Sequence, residues 1–121
     1  MTLKRLPYSF SVCKVESLSP EDTVKPFTFT AMTDEEASIV CITDNAPKNT
    51  LSRSDGWRAL RIEGVLDFSL VGILAKITSI LAENGIGIFA LSTYNTDYVL
   101  VKEENYASAL TVLEKSGYNI I

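Results

Sequence analysis

The sequence predicts an α+β fold whose second half runs in the order strand, helix, strand, strand, helix, strand. Two observations support this prediction. Apolar residues recur at helical spacing between Leu70 and Leu81, and segments of strand length lie on both sides of them. The chain has 121 residues, 46% of them hydrophobic, so it has enough apolar surface for a buried core in one compact domain or two very small ones.

The second half begins with a predicted strand followed by a predicted helix. Residues Arg58–Gly64 alternate between apolar and charged side chains, which is typical of a half-buried strand. The helical spacing over Leu70–Leu81 follows, with Asp67 or Ser69 available to cap the helix start and Asn84-Gly85 as a stop signal. We therefore expect a helix whose apolar side packs on the sheet.

The remaining segments complete the pattern. Ile86–Thr93 and Tyr98–Val101 predict two strands joined by a tight hairpin at Asn95–Asp97. Asn105–Ser116 predicts a second helix, and Tyr118–Ile121 predicts a final edge strand. This order is the ferredoxin-like βαββαβ arrangement, in which both helices cover one face of an antiparallel sheet.

The first half predicts short strands and single turns. Alternation over Tyr8–Val15 and Phe27–Met32 predicts two strands, and Ser19–Asp22 predicts one helical turn with a serine cap and proline at its first position. Thr33–Glu36 has the pattern of a capped helix start. The run Ser38–Thr43 after it fits helix or strand, and its β-branched residues favour a strand.

The domain boundary is predicted between the two halves. Asp44–Gly56 contains two turn-forming clusters and little apolar content, which indicates a linker. The predicted domains are therefore residues 1–55 and 56–121. As a hypothesis, the N-terminal domain is a smaller version of the C-terminal unit.

Composition argues against several classes of function. The formal net charge is −4, whereas nucleic-acid binders cluster an excess of Lys and Arg. No segment is apolar for long enough to be a signal peptide or a membrane span, so we expect a cytoplasmic protein with no membrane partner. The chain has no histidine, and Cys13 and Cys41 lack metal-ligand spacing. We therefore expect no metal, no cofactor and no catalytic residue, with both cysteines serving to pack the core.

Two segments of the second half carry recognisable motifs. Asp67–Ile77 combines an acidic residue with the helix start Gly72-Ile73-Leu74, and Ile80–Ile88 contains a Glu-Asn-Gly-Ile turn. Together these motifs resemble the signature of the ACT domain family. Leu91–Val101 is similar to a branch of the family, the short tandem-ACT proteins related to the ACT domains of eukaryotic cytosolic arginine sensors. The resemblance implies that residues 56–121 are an ACT domain and that residues 1–55 are a smaller, degenerate ACT-like unit.

The resemblance also implies a binding function. ACT pairs bind small ligands, usually amino acids, where the first strand-helix turn of one unit faces its neighbour. We therefore expect a regulatory module that binds an amino acid or similar small ligand, forms a homodimer and acts alone or on an unidentified protein partner.

The helix start is the first part of the predicted site. Unpaired backbone N–H groups and the positive end of the helix dipole suit a carboxylate. Glycine within a first helical turn costs about 1 kcal/mol relative to alanine, so Gly72 suggests that a ligand approaches the backbone closely. The alternative is that Gly72 only lets the helix pack on a strand.

The hairpin is the second part. Asp97 could accept hydrogen bonds from an ammonium or guanidinium group, or it could bond its own backbone in the turn. Thr93, Tyr94 and Asn95 are carried over from the resemblance as strand-end residues, and Tyr94 could equally pack at a sheet edge. The predicted ligand-binding residues are Leu66, Asp67, Phe68, Ser69, Val71, Gly72, Ile73, Thr93, Tyr94, Asn95 and Asp97.

Two other functions compete with this prediction. A structural or oligomerisation module would use the same surfaces without a small ligand. An enzyme on a ferredoxin-like scaffold is the third reading, because this fold hosts many chemistries. It ranks last, since the chain has no histidine, no activated cysteine and no convergent pair of carboxylates.

Overall fold

The structure is a computed structural model that describes residues 1–65 and 71–121. Its elements are β1 (Thr2–Val15), α1 (Pro20–Thr23), β2 (Phe29–Met32), β3 (Ala37–Ile42), a 3₁₀ turn (Thr43–Asn45), β4 (Thr50–Ile62), α2 (Ile73–Glu83), β5 (Ile88–Ser92), β6 (Asp97–Lys102), α3 (Glu103–Lys115) and β7 (Asn119–Ile120).

The chain divides into two compact units. Residues Tyr8–Trp57 form the N-terminal unit, and Met1–Pro7 together with Arg58–Ile121 form the C-terminal unit. Strands β1 and β4 each contribute residues to both units.

The C-terminal unit has the predicted ferredoxin-like α+β fold. Its elements follow the order β4, α2, β5, β6, α3, β7, which is the predicted βαββαβ sequence. The strands are arranged β7–β1–β4–β6–β5, with β5 and β6 antiparallel and β1 and β7 parallel. The first residues of β1 therefore lie between the first and last strands of the βαββαβ unit.

This placement of Met1–Pro7 differs from the predicted domain of residues 1–55. The Thr2 carbonyl accepts a hydrogen bond from Glu63 N–H at 2.9 Å, and the Leu3 carbonyl accepts one from Ile121 N–H at 2.9 Å. Leu3 is also buried in the core of the C-terminal unit. The second half of the chain thus supplies both the backbone partners of Thr2 and Leu3 and the apolar core in which Leu3 is buried.

The core of this unit lies between the two helices and one face of the sheet. Alternate residues of β4 and β6 face the helices, and the apolar stripe of α2 meets them, as its helical period predicted. The buried members are Leu3, Leu60, Ile62, Ile77, Leu81, Ile86, Val99, Val101, Ala109 and Leu113.

The N-terminal unit is a smaller sheet with the strand order β2–β3–β1–β4. Strand β3 pairs antiparallel with both β1 and β2, and α1 begins at Pro20 after Ser19. The predicted strand over Ser38–Thr43 and the predicted single helical turn are therefore confirmed. One face of this sheet holds the apolar cluster of Cys13, Val15, Ile39 and Cys41.

Both cysteines are free and buried, which confirms their predicted role in packing. Burial raises the pKa of the Cys13 thiol and raises the pKa of the Cys41 thiol to about 11. Both thiols are therefore protonated near neutral pH, where the thiolate would be the nucleophile.

The predicted helix start at Thr33–Glu36 is wrong. Thr33 Oγ1 accepts the backbone N–H of Glu35 at 3.1 Å and that of Glu36 at 3.2 Å, and these bonds close the turn between β2 and β3. A threonine oxygen caps a turn by the same bonds with which it caps a helix. Because Met32 pairs with Ala37 across this segment, it forms the turn of a β-hairpin and not the start of a helix.

The predicted linker over Asp44–Gly56 is also wrong in part, because β4 already begins at Thr50. Asp55 Oδ1 accepts hydrogen bonds from the buried Ser11 hydroxyl at 2.5 Å and from Arg53 Nε at 2.7 Å. Pairing with β1 and these side-chain bonds hold turn-forming residues in an extended strand, so tertiary contacts override local preference.

A buried hydroxyl ties the β5–β6 hairpin to the end of β4. The four-residue loop Thr93–Thr96 is closed by a bond from Thr93 N–H to the Thr96 carbonyl at 2.9 Å. Thr96 is only 6% exposed, and its hydroxyl donates to the Ile62 carbonyl at 2.6 Å. This bond keeps the loop against the last residues of β4.

We expect Thr96→Val to lower the free energy of unfolding by about 1–3 kcal/mol, because the buried Ile62 carbonyl loses its donor while the side-chain shape is kept. Urea titration with an unchanged m-value measures this loss. The control is Thr111→Val on the exposed side of α3, which also removes a hydroxyl bonded to a carbonyl, at 3.1 Å. The control should change stability by less than about 0.5 kcal/mol. Equal losses in both variants would contradict the role given to Thr96.

Candidate functional site

Two cavities lie where β4 ends, the hairpin turns and α2 begins. The hairpin cavity, of about 240 Å³, is lined by residues that include Arg61, Glu63, Gly64, Thr93, Asn95 and Tyr98. The helix cavity, of about 340 Å³, is lined by residues that include Val71, Gly72, Ile73, Lys76, Gly117 and Tyr118. Both belong to the C-terminal unit.

The predicted site residues are distributed over these cavities. Thr93 and Asn95 line the hairpin cavity, and Val71, Gly72 and Ile73 line the helix cavity. Tyr94 and Asp97 line neither of the two. The predicted residues Leu66, Asp67, Phe68 and Ser69, and with them the predicted helix caps, lie outside the described residues. The ligand-binding role of the whole set stays a prediction.

Gly72 has a different conformation from the one predicted. It precedes α2 as the N-cap residue, with a left-handed φ of +79°, and its carbonyl accepts the Lys76 N–H at 2.9 Å. A Cβ added to Gly72 would meet nothing within 4 Å. The backbone angle therefore accounts for the glycine, because residues with a Cβ adopt this conformation at a cost. Neither a close ligand nor helix packing is needed to explain it.

Asp97 has a local partner. Its Oδ1 accepts the Ser92 hydroxyl at 2.5 Å across the first residue pair of the hairpin. The prediction offered a ligand cation or the residue's own backbone as the partner, whereas the structure has a side chain of the opposite strand. The carboxylate is thus held at the loop end of the hairpin, and Tyr94 stands exposed in the loop beside it.

The hairpin cavity contains an ion pair that the prediction did not assign to the site. Arg61 Nε donates to Glu63 Oε1 at 3.1 Å, and a second guanidinium nitrogen lies 3.1 Å from the same oxygen. Burial alone would lower the pKa of Arg61, but hydrogen bonds to Tyr98 and Glu63 outweigh it and the pKa is raised. Arg61 therefore stays charged over the accessible pH range.

A sequence signal for this pair does exist. Arg61 and Glu63 occupy the face of the strand opposite Leu60 and Ile62, and they carry opposite charges two residues apart. Neighbours on one strand face can pair in this way. The burial of Thr96 had no comparable signal, because threonine in a turn is more often exposed.

Across residues 1–65 and 71–121, no group of three or more Cys, Asp or Glu side chains is placed to hold a metal ion. In the same part of the chain, no helix has the length and apolar character needed to cross a membrane.

The fold and the two cavities define a ferredoxin-like domain with small concave sites at one end of its sheet. The ACT domain family model matches residues 52–115, and the chain belongs to the ACT domain family. The resemblance found in the sequence is thereby confirmed.

Curated relatives include the cytosolic arginine sensor for mTORC1 subunit 1 of Rattus norvegicus, 33% identical, and that of Homo sapiens, 34% identical, each over 116 residues. Each match covers 89% of this chain and 35% of the relative, so the chain spans about a third of the length of these proteins.

Solved structures share the fold. A protein from Agrobacterium tumefaciens superposes with a TM-score of 0.88 at 29% identity, covering 99% of this chain and 91% of its own. A Vibrio cholerae protein of unknown function has a TM-score of 0.73 at 20% identity, covering 94% and 88%. The regulatory subunit of aspartate kinase from Thermus thermophilus has a TM-score of 0.64 at 11% identity, covering 97% of both chains.

We expect Gly72→Ala to destabilise the protein by about 1–2 kcal/mol, because alanine resists the left-handed conformation although there is room for its Cβ. Gly87→Ala is the matched control, since Gly87 also has open space around it but does not have a positive φ. Thermal unfolding of both variants measures the difference. A loss of the same size at Gly87 would contradict a backbone origin of the effect.

Proposed function

We propose that this chain is a regulatory module that binds a free amino acid in the hairpin cavity. The observation that carries the proposal is the cavity itself, which joins the predicted residues Thr93 and Asn95 to the end of β4. Membership of the ACT family supports a regulatory role, and the names of the curated relatives support an amino acid as the ligand.

The size of the cavity suits a ligand of this kind. Pockets for drug-sized molecules have volumes of roughly 300–1,000 Å³. At about 240 Å³ the hairpin cavity lies below that range, so a single amino acid fits better than a nucleotide or a peptide. Hydroxyl and amide groups of Thr93, Asn95 and Tyr98 supply donors and acceptors around it.

A binding role agrees with the side chains available for chemistry. The chain has no histidine, and its two thiols are buried with raised pKa values. We propose that the module acts alone or on a protein partner. We place it in the cytoplasm, as the word cytosolic in the names of its curated relatives suggests.

We also propose that the N-terminal unit is a reduced ACT-like unit. Its elements run β1, α1, β2, β3, a 3₁₀ turn and β4, which is the βαββαβ order with both helices shortened to single turns. The strand order β4–β1–β3–β2 corresponds to β7–β4–β6–β5 in the C-terminal unit, apart from the inserted start of β1. This correspondence supports a tandem origin.

Finally, we propose that the module is a homodimer. Three large apolar side chains are exposed at or beside the two cavities. Val65 lines the hairpin cavity, Val71 lines the helix cavity, and Tyr94 lies between Thr93 and Asn95 in the hairpin loop. Burial of such side chains drives association. The same surface would serve the alternative function, an oligomerisation module without a small ligand.

A thermal-shift screen of the twenty proteinogenic amino acids tests the ligand. At one hundred times its dissociation constant, a ligand of the native state adds about 2.7 kcal/mol, which corresponds to a rise in Tm on the order of 10 °C for a chain of this size. We expect at least one amino acid at millimolar concentration to raise the Tm. If none does and the protein is dimeric, the oligomerisation module replaces the proposed function.

Light scattering coupled to size exclusion tests the dimer. Val71 is 89% exposed, so Val71→Asp should leave the fold intact and shift the mass from dimer towards monomer by placing a charge in the contact. Val24→Asp is the control, because Val24 is similarly exposed, at 78%, but belongs to the N-terminal unit. A monomeric parent protein, or a dimer that survives Val71→Asp unchanged, contradicts this dimer.

A further inference from the structure

The described lining of the hairpin cavity contains one charge of each sign. Among the described residues that line it, Arg61 and Glu63 are the charged ones, and the others are neutral. A cavity with one cation and one anion matches a ligand that also carries one of each, because electrostatic complementarity favours opposite charges placed face to face. A phosphate or another simple anion would bring only one sign of charge.

The geometry of the pair leaves capacity for such a ligand. Two contacts from Arg61 to Glu63 converge on a single oxygen, Glu63 Oε1, at 3.1 Å each, and Arg61 also bonds Tyr98. A carboxylate has about four lone-pair positions over its two oxygens, and a guanidinium has five N–H donors. The pair can therefore keep its own contacts while each member meets an opposite charge from a ligand.

The pair is also held in position. Arg61 and Glu63 flank Ile62, whose carbonyl is bound by the buried Thr96 hydroxyl at 2.6 Å. The Glu63 N–H is bound to the Thr2 carbonyl at 2.9 Å. Recognition gains when charged groups are fixed before the ligand arrives, because less freedom is lost on binding.

Burial of the pair is intermediate. The side chain of Arg61 is 26% exposed and that of Glu63 is 32% exposed. Charges in such positions are screened less than charges on the open surface, yet they can still be reached from the cavity. A second Arg–acid pair with the same two-residue spacing, Arg53 with Asp55 on β4, is more exposed, at 36% and 53%, and lies in the N-terminal unit.

We propose that Arg61 and Glu63 together recognise the backbone end of a free α-amino acid, with Arg61 binding the α-carboxylate and Glu63 binding the α-ammonium group. The inference rests on the proposed function and assigns the two charged ends of its ligand to two named residues. The Thr93 hydroxyl oxygen and the Asn95 amide, which also line the cavity, would then contact the ligand side chain.

The test uses three probes on the full chain: the amino acid that raises the Tm most in the screen, its Nα-acetyl derivative and its C-terminal amide. Calorimetric titration of the parent protein should show each blocked derivative binding at least about tenfold more weakly, the effect of losing one charge-assisted hydrogen bond. Equal affinity for the free and blocked probes would overturn the inference and leave the proposed function standing. Failure of every amino acid to bind would overturn both.

Two substitutions test which end of the ligand each residue binds. Glu63→Gln should weaken binding of the free amino acid about tenfold and leave the affinity for the Nα-acetyl derivative unchanged, because that derivative has no ammonium group to lose. Arg61→Gln should also weaken binding of the free amino acid about tenfold. It should leave the affinity for the C-terminal amide unchanged, because the amide has no carboxylate to lose. A uniform loss for all three probes would mean that the pair only supports the fold, which contradicts the inference.

Arg53→Gln is the matched control. It removes the arginine of the second pair on the same strand, at the same two-residue spacing from its acid. It should leave the affinities for all three probes unchanged. Should either cavity variant fail to fold, the comparison of free and blocked probes on the parent protein still decides the inference.

Discussion

The C-terminal unit depends on one constraint, which is that the first residues of β1 pair with both β4 and β7. Thr2 binds β4, Leu3 pairs with Ile120 of β7, and the Arg5 N–H donates to the Ile121 carbonyl at 2.9 Å. Without these residues β4 would lack its neighbour on that side, and its backbone groups would need other partners. Leu3 would also leave a gap in the core between the helices.

A central position for β4 determines where a site can form. The strand lies between β1 and β6, so its last residues are held from both sides, and Thr96 fixes the hairpin against Ile62. Side chains on the face away from the helices then project beside a closed four-residue loop. A cavity bounded by a rigid strand end and a fixed loop can select a ligand by charge and size, which a mobile loop does less well.

The distribution of charge is consistent with binding of a small zwitterion by an otherwise acidic chain. The net charge of −4 belongs to the protein as a whole, whereas the described lining of the hairpin cavity carries one arginine and one glutamate. Local pairing, and not the overall charge, governs what such a cavity accepts, because at 0.1 M salt the effect of charges more than about 10 Å away is largely screened. The helix cavity has a different composition, with Lys76 as its charged side chain among the described lining residues.

The sequence by itself determined the elements with a strong local period. The apolar repeat of α2, the alternation before Gly64 and the ACT signature were sufficient for the fold class and the family, because these patterns depend on neighbours along the chain. Only the tertiary structure decided the rest. It joined Met1–Pro7 to the C-terminal unit, made the expected linker from Thr50 onwards the start of β4 and placed Gly72 before the helix. It also made Arg61 and Glu63 the lining of a cavity, since burial and pairing depend on residues distant in sequence.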